Sequence, residues 1–234
     1  MACASPPATA SRVVLADALT GYTQGERVGG RLTPNGYMPG KGNNHILYRL
    51  PETVREGYLQ VEVLGMDETL VTEPNDHGFL AMYDGRGVAE PAQYFRDLKN
   101  NYFRWNLHWR NRRIQGVKSV ISCAAPTPDR LAAQVAQYPD NLKARDWTAE
   151  PTGKILDWNP NRWHVLRLEW RNTTFRVTVD GAEVWRAQGP HDYAPIDHRI
   201  WIGSAPGIPT KYQSVIEGII YRNVELGAFE ASSH

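Results

Sequence analysis

Residues 101–110 alternate strictly between apolar and polar side chains. The apolar positions are Phe103, Trp105, Leu107 and Trp109, and the polar positions are Tyr102, Arg104, Asn106, His108 and Arg110. A period of two places the two sets on opposite faces of a β-strand. At ~3.3 Å per residue this strand is about 30 Å long. One face is therefore large and apolar enough to anchor a core, and the other carries a selection of side chains typical of a ligand surface.

Shorter apolar or alternating segments recur along the chain between turns rich in Gly, Pro, Asn and Asp. They predict strands at 45–50, 58–64, 78–83, 117–124, 163–170, 174–179, 183–185, 199–203 and 216–226. The segment 78–83 is almost continuously apolar, which predicts a strand covered on both sides or central in its sheet. The segment 117–124 follows a short connection after 101–110, and we expect the two to form a hairpin.

Residues 127–138 are the one predicted helix. Thr127 is a suitable N-cap, Pro128 suits the first helical position, and Pro139 ends the pattern. Many strands with one short helix predict an all-β fold, a β-sandwich or jelly roll. We expect a single β-sandwich domain over 12–228, between tails at 1–11 and 229–234.

The composition limits the classes of partner. The 234 residues include 26 Lys and Arg against 25 Asp and Glu, which argues against a general nucleic-acid or anionic-membrane binder. No segment is long and apolar enough to cross a membrane. Only Cys3 and Cys123 are present, so we expect no disulfide framework.

The first eleven residues are small, Pro-rich and uncharged. They fit what remains of a trimmed signal peptide, with Cys3 a former lipid-attachment site, and they fit an ordinary tail equally well. The first alternative predicts a secreted or periplasmic protein that is lipid-anchored through Cys3.

Residues 163–184 carry a pattern found in a known fold. Trp163-His164 opens one predicted strand, and the next one ends in Val179-Asp180-Gly181. This hairpin resembles that of the concanavalin A-like lectin/glucanase superfamily, which includes laminin-G-type domains. The resemblance implies two stacked, curved antiparallel sheets, with a concave face suited to an extended glycan. It does not select a function, because that superfamily holds lectins, hydrolases, lyases and interaction modules.

Positive charge is concentrated around the polar face of 101–110. Arg96, Lys99, Arg104, Arg110, Arg112, Arg113 and Lys118 are opposed there only by Asp97. Such a local field favours an acidic polysaccharide, such as a uronate chain, as partner. The alternative is a solvated strand face whose arginines pair with acids on neighbouring strands.

These side chains suit β-elimination from a uronate. We expect His108 to remove the C5 proton, Tyr102 to protonate the leaving oxygen, and Arg104 and Asn106 to neutralise the carboxylate. Further substrate contacts are expected from Arg110, Gln60, Glu62, Tyr83 and Lys118. The sequence Asn106-Leu107-His108 resembles the Gln-Ile-His strand of jelly-roll alginate lyases. The Arg-x-Glu-Leu-Arg and Tyr-x-Lys-Ala-Gly strands of that family are missing, so only the chemical analogy remains.

Two other functions stay open. A glycoside hydrolase needs two carboxylates about 5–9 Å apart, and Glu62 with Glu169, or Asp84 across strands, could supply them. The Glu-x-Asp-x-x-Glu strand of laminarinase-like enzymes is missing from the sequence. The other alternative is a non-catalytic carbohydrate-binding or adhesion module.

Two groups of residues are candidates for a metal site. One is Asp76-His77 with Asp84, and the other is His191-Asp192 with Asp197-His198. Neither has a zinc-binding spacing, and acidic residues beside Gly and Pro usually cap turns. We therefore expect no cofactor, with calcium the first candidate if a metal is bound.

Overall fold

The computed structural model describes residues 11–40, 44–66, 75–84, 104–112, 117–124, 148–149, 158–188, 195, 197–203 and 218–230. Their secondary structure is entirely β. The strands are β1 (Ser11–Asp17), β2 (Glu26–Val28), β3 (Arg31–Thr33), β4 (Gly36–Met38), β5 (His45–Arg49), β6 (Gly57–Leu64), β7 (Asn75–Asp84), β8 (Arg104–Arg112), β9 (Val117–Ala124), β10 (Thr148–Ala149), β11 (His164–Arg171), β12 (Thr174–Val179), β13 (Ala182–Gln188), β14 (His198–Gly203) and β15 (Ile220–Phe229).

The strands form two antiparallel sheets. The nine-stranded sheet has the order β10-β13-β12-β11-β6-β15-β4-β3, and β1 also pairs with β15. The six-stranded sheet has the order β2-β5-β14-β7-β8-β9. Strands distant in sequence are thus neighbours within each sheet, as in a jelly roll. The predicted all-β sandwich is confirmed.

The core lies between the two sheets. Alternate residues of β6 (Leu59, Val61 and Val63) pack in one cluster with residues of the six-stranded sheet such as Met82 and Ile200. A hydrogen bond from Tyr221 Oη to the carbonyl oxygen of Phe79, 3.1 Å long, also links the two sheets. All three of these β6 residues are buried, so the apolar face of this strand is directed at the other sheet.

The other strand predictions are confirmed, with boundaries that differ by at most four residues, wherever the structure describes the chain. Strand β7 lies between β14 and β8, and its residues 79–83 are buried, as its apolar sequence predicts. The β8–β9 hairpin is also formed. The predicted helix at 127–138 and residues 101–103 of the long strand lie outside the described residues. No helix in the described part of the chain is long and apolar enough to cross a membrane.

A bulge between Gly78 and Leu80 shifts the register of β7 against β8. Phe79 and Leu80 are therefore both buried in the core, although they are consecutive. An extra residue of this kind changes the local twist of the strand, and bulges are frequent beside functional sites.

Candidate functional site

The six-stranded sheet has a second buried cluster that is separate from the core. It consists of Leu47, Ala81, Tyr83 and Trp201. These residues alternate along β5, β7 and β14 with core residues such as Ile46 and Ile200. They therefore lie on the face of this sheet that is turned away from the nine-stranded sheet, which we call the outer face. All four are at most 5% exposed, so this part of the outer face is covered from solvent.

A row of cationic residues crosses the outer face. Arg49 of β5 is the register partner of Arg199 of β14, which is the partner of Tyr83 of β7. Tyr83 is in turn the partner of Arg104 of β8. Neighbouring strands are about 4.8 Å apart, so the row is about 14 Å long between its first and last Cα atoms. We call these four positions the arginine row.

Tyr83 and Arg199 are the buried pair of this row. Arg199 hydrogen-bonds the Tyr83 phenol, and burial raises the pKa of Tyr83 well above its ordinary value despite the opposing charges of Arg199 and Arg49. The Arg199 guanidinium donates to Asp197 Oδ2 from Nε at 3.0 Å and from Nη2 at 2.5 Å. Burial alone would lower the pKa of Arg199, but Asp197 raises it, and the guanidinium stays charged. Tyr83 is therefore a protonated phenol beside a fixed cation at neutral pH.

An aromatic pair lies next to this row. The rings of His45 and Trp201 are stacked with centroids 3.5 Å apart and planes inclined by 15°. Both residues are buried, and the stack fixes the orientation of the imidazole. A buried indole with an imidazole on its face gives the outer face a rigid aromatic wall.

Small residues occupy the middle of the outer face. Ala81 follows Trp201 across the sheet, and Gly78 of the same strand is the register partner of His108. Gly203 of β14 is the partner of His45. Gly203 is closely packed, because a Cβ atom there would lie 2.5 Å from the backbone oxygen of Asn44.

The register of β8 locates most of the predicted catalytic residues. Arg104, Asn106, His108 and Arg110 are partners of Tyr83, Ala81, Gly78 and Asp76, respectively. Their positions therefore lie on the outer face, in line with the cluster of Tyr83. Trp105 and Leu107 are partners of the core residues Met82 and Leu80. The two-faced pattern that predicted this strand is thus matched by its pairing.

For two other predicted site residues, no register partner is defined in the described strands. Lys118 lies on β9, next to the irregular register between Arg110 and Arg112 of β8. Tyr102 lies outside the described residues.

Gln60 and Glu62 do not lie on the outer face with the other predicted site residues. They lie on β6 of the nine-stranded sheet, on its solvent side. Gln60 Oε1 accepts a hydrogen bond from Arg167 at 3.3 Å. Glu62 accepts from Arg222 at 2.7 Å and from Asn223 at 2.8 Å. The predicted substrate contacts are therefore divided between the two opposite surfaces of the sandwich.

The pair Glu62 and Glu169 does not have the spacing of glycosidase carboxylates. Glu62 is the register partner of Val165, four residues before Glu169 on β11. Four residues span about 13 Å along a strand, against the 5–9 Å that hydrolysis needs. Burial alone would raise the pKa of Glu169, but Arg176 and Arg167 lower it below its ordinary value. Glu169 is thus an ionised partner of two arginines rather than a proton donor.

The described residues contain no group of three His, Cys, Asp or Glu side chains that could hold a metal ion. Asp84 and His198 are register partners. Burial lowers the pKa of His198 to about 3, and its Nδ1 accepts a hydrogen bond from the Val54 amide at 3.5 Å. Residues 191–192 of the second candidate cluster lie outside the described part of the chain.

Sequence reasoning missed four residues of the outer face: His45, Arg49, Arg199 and Trp201. A signal for them was present, because 45–49 and 199–203 each alternate between two faces. In 199–203, Arg199 and Trp201 alternate with Ile200 and Ile202. The residues of β8 alternate between polar and apolar in the same way. The pairing of the three strands, which brings these polar faces together, could not be read from the pattern.

The sequence matches no protein-family model and no curated protein. Among solved structures, the fold is similar to the alginate lyase Aly36B in complex with alginate trisaccharide. The TM-score is 0.54 and the identity 11%, over 93% of this chain and 98% of that chain. The Crh5 transglycosylase in complex with NAG has a TM-score of 0.51 at 11% identity, over 96% of this chain and 88% of that one.

A Trypanosoma rangeli sialidase is similar over part of its length. Its TM-score is 0.51 at 11% identity, over 93% of this chain and 31% of the sialidase chain. Together with the two sheets and their topology, these similarities settle the fold class. The chain has a concanavalin A-like β-sandwich fold. At this level of identity the similarity concerns the fold alone.

Proposed function

We propose that the protein binds an extracellular acidic polysaccharide on the outer face of the six-stranded sheet and cleaves it by β-elimination. The observation that carries this proposal is the arginine row. It aligns Arg49, Arg199 and the position of Arg104 with a buried, protonated Tyr83. Guanidinium groups are the side chains best suited to bind carboxylates.

The neighbouring features support the same partner. The stacked His45 and Trp201 form an aromatic wall beside the arginine row. Aromatic rings pack against the apolar faces of sugars, while cations and amides contact their polar edges. Among similar folds, the alginate lyase was solved with an alginate trisaccharide, which supports a glycan as the ligand class.

Each step of β-elimination has a candidate group on this face. Arg199 and Arg104 neutralise the uronate carboxylate, with Asn106 as a further donor, which makes the C5 proton more acidic. His108 takes that proton, and the C5–H electrons form the C4–C5 double bond. The C4–O bond breaks, and the leaving oxygen receives a proton from a tyrosine. The products are an unsaturated uronate and a shortened chain.

Two tyrosines are candidates for the proton donor. Tyr102 is the donor that the sequence predicts, and Tyr83 is the tyrosine on the outer face among the described residues. Tyr83 is protonated at neutral pH, as a proton donor must be, although burial raises its pKa and makes it a weaker acid than an exposed tyrosine. Hydrolysis by Glu62 with Glu169 is less well supported, because those carboxylates are too far apart along the strands.

The test is incubation with alginate and with polygalacturonate, while ultraviolet absorbance and reducing ends are followed. Elimination produces both signals, because the product contains a conjugated double bond. Reducing ends without the absorbance would indicate hydrolysis, and binding without either product would indicate a carbohydrate-binding module. The variant His108→Ala should lose activity on alginate. Arg186→Ala is the control and should keep it, because the Arg186 side chain is 53% exposed on β13 of the other sheet.

A further inference from the structure

Arg49 differs from the buried arginine beside it in the row. Its side chain is 51% exposed, and its one described ion pair is a contact of 3.4 Å with Glu26, which is 61% exposed. The Arg199 side chain is only 10% exposed and holds Asp197 at 2.5 Å. Arg49 therefore has a weak, solvent-screened partner that an incoming anion could replace at little cost.

Arg49 is nevertheless close enough to Tyr83 for its charge to act on the phenol. Its charge acts on the Tyr83 phenol and lowers the pKa of that group in part. Two strand spacings separate the residues, so their Cα atoms are about 10 Å apart across the sheet. Arg49 is thus placed at the exposed end of the row, on the opposite side of Tyr83 from Arg104.

We propose that Arg49 binds the acidic group of a second sugar residue, next to the one that reacts beside Tyr83. The polysaccharide would then run across the strands, along the arginine row. Such a site selects chains with acidic groups on neighbouring residues over chains in which acidic and neutral sugars alternate. This inference rests on the proposed function of the outer face and adds the charge pattern of its substrate.

The experiment measures binding of alginate, in which every residue is a uronate, and of hyaluronan, in which uronates alternate with neutral sugars. Arg49→Ala should weaken alginate binding about ten-fold or more, since it removes a charge-assisted hydrogen bond. Its effect on hyaluronan should be less than two-fold. The matched control is Arg12→Ala, because Arg12 is also exposed (58%) and pairs with one acid, Glu52. This control should change neither affinity.

A second variant should change the alginate affinity in the opposite direction. Glu26→Gln removes the carboxylate that competes for Arg49 and should tighten alginate binding. Circular dichroism and thermal melting verify that the variants are folded, which is expected since both side chains are exposed.

Three outcomes would overturn the inference. Unchanged alginate affinity in Arg49→Ala would show that Arg49 does not contact the chain. An equal loss with both polymers would show that it supplies general attraction without reading the charge pattern. Both results leave the proposed function standing. If the wild-type protein binds and cleaves neither polymer, nor polygalacturonate, the proposed function fails together with this inference.

Discussion

Nδ1 of His164 lies 2.8 Å from Oδ2 of Asp180, so the first residue of β11 is fastened to the turn between β12 and β13. Asp180 Oδ1 also accepts a hydrogen bond from the Val165 amide at 2.9 Å, and the Asp180 amide donates to the Val165 carbonyl at 2.9 Å. The imidazole ring of His164 also stacks on the ring of Trp158, with centroids 3.9 Å apart. These contacts explain why His164 and Asp180 recur together in the pattern Trp163-His164 … Val179-Asp180-Gly181, while the stacked ring belongs to Trp158.

Asp180→Asn should destabilise the protein by about 1–2 kcal/mol, because hydrogen bonds to a charged acceptor become bonds to a neutral amide. Partial burial alone would raise the pKa of Asp180, but the Val165 amide, His164 and Arg162 lower it below its ordinary value. The stabilisation from Asp180 is therefore present at neutral pH and is lost as the pH falls through the lowered pKa.

Urea denaturation at neutral pH measures the change. Glu183→Gln is the control, since Glu183 forms an exposed pair with Arg186, and it should cost less than about 1 kcal/mol. Equal effects of the two substitutions would contradict the role given to Asp180.

His198 makes the stability of the fold depend on pH in the mildly acidic range. Burial lowers its pKa from 6.5 to about 3, with the charge of Asp197 opposing this in part. Between these values the unfolded chain binds a proton that the folded protein does not, so stability falls as the pH falls from 6.5 towards 3. From pH 6.5 to about pH 5 the loss should approach 2 kcal/mol.

The variant His198→Gln should have a flatter dependence of the unfolding free energy on pH over that range. Its stability at neutral pH is expected to be lower, because the hydrogen bond from Val54 is altered. The informative quantity is therefore the slope, measured by denaturant titration at several pH values. An unchanged slope would show that His198 does not remain neutral in the folded protein.

Much of the fold was predictable because its strands obey a period of two. Residues 58–64 and 174–179 each bury alternate apolar side chains, and the strands form at those places. Periodicity does not reveal which strands are neighbours. The sequence therefore grouped Gln60 and Glu62 with Tyr83, although they lie on opposite surfaces of the sandwich.

The candidate site was predictable in part for the same reason. Arg104, Asn106 and His108 were recognised because one long strand carries all of them. Arg49 and Arg199 are distant from that strand in sequence and join it only through the pairing of β5, β14 and β7. A ligand surface built across strands is set by their register, and that register depends on contacts between distant residues.

Gly203 should not tolerate a side chain. Its φ of +111° is unfavourable for other residues, and a Cβ atom would lie 2.5 Å from the backbone oxygen of Asn44. Gly181 also has a positive φ, +81°, but a Cβ atom added there would have no other atom within 4 Å. Gly181→Ala should cost about 1–2 kcal/mol from the backbone conformation alone.

Gly203→Ala should cost at least about 1–3 kcal/mol more than Gly181→Ala, because the backbone of β5 must also move. Thermal and urea unfolding of the two variants separate the steric effect from the conformational one. Equal destabilisation would show that the close approach of Gly203 to Asn44 is not a constraint on the fold.

Tyr83→Phe tests which tyrosine supplies the proton in the proposed elimination. If Tyr83 is the donor, the rate on alginate should fall about 10²–10⁴-fold, as for loss of a general acid. Stability should fall by only about 1–2 kcal/mol, because Arg199 loses one hydrogen-bond partner but keeps Asp197. Tyr58→Phe is the matched control: its phenol donates to Glu225 at 2.6 Å on the nine-stranded sheet, so it should lose a similar hydrogen bond and no activity. A rate unchanged in Tyr83→Phe would exclude Tyr83 as the donor, and Tyr102→Phe alone should then abolish activity.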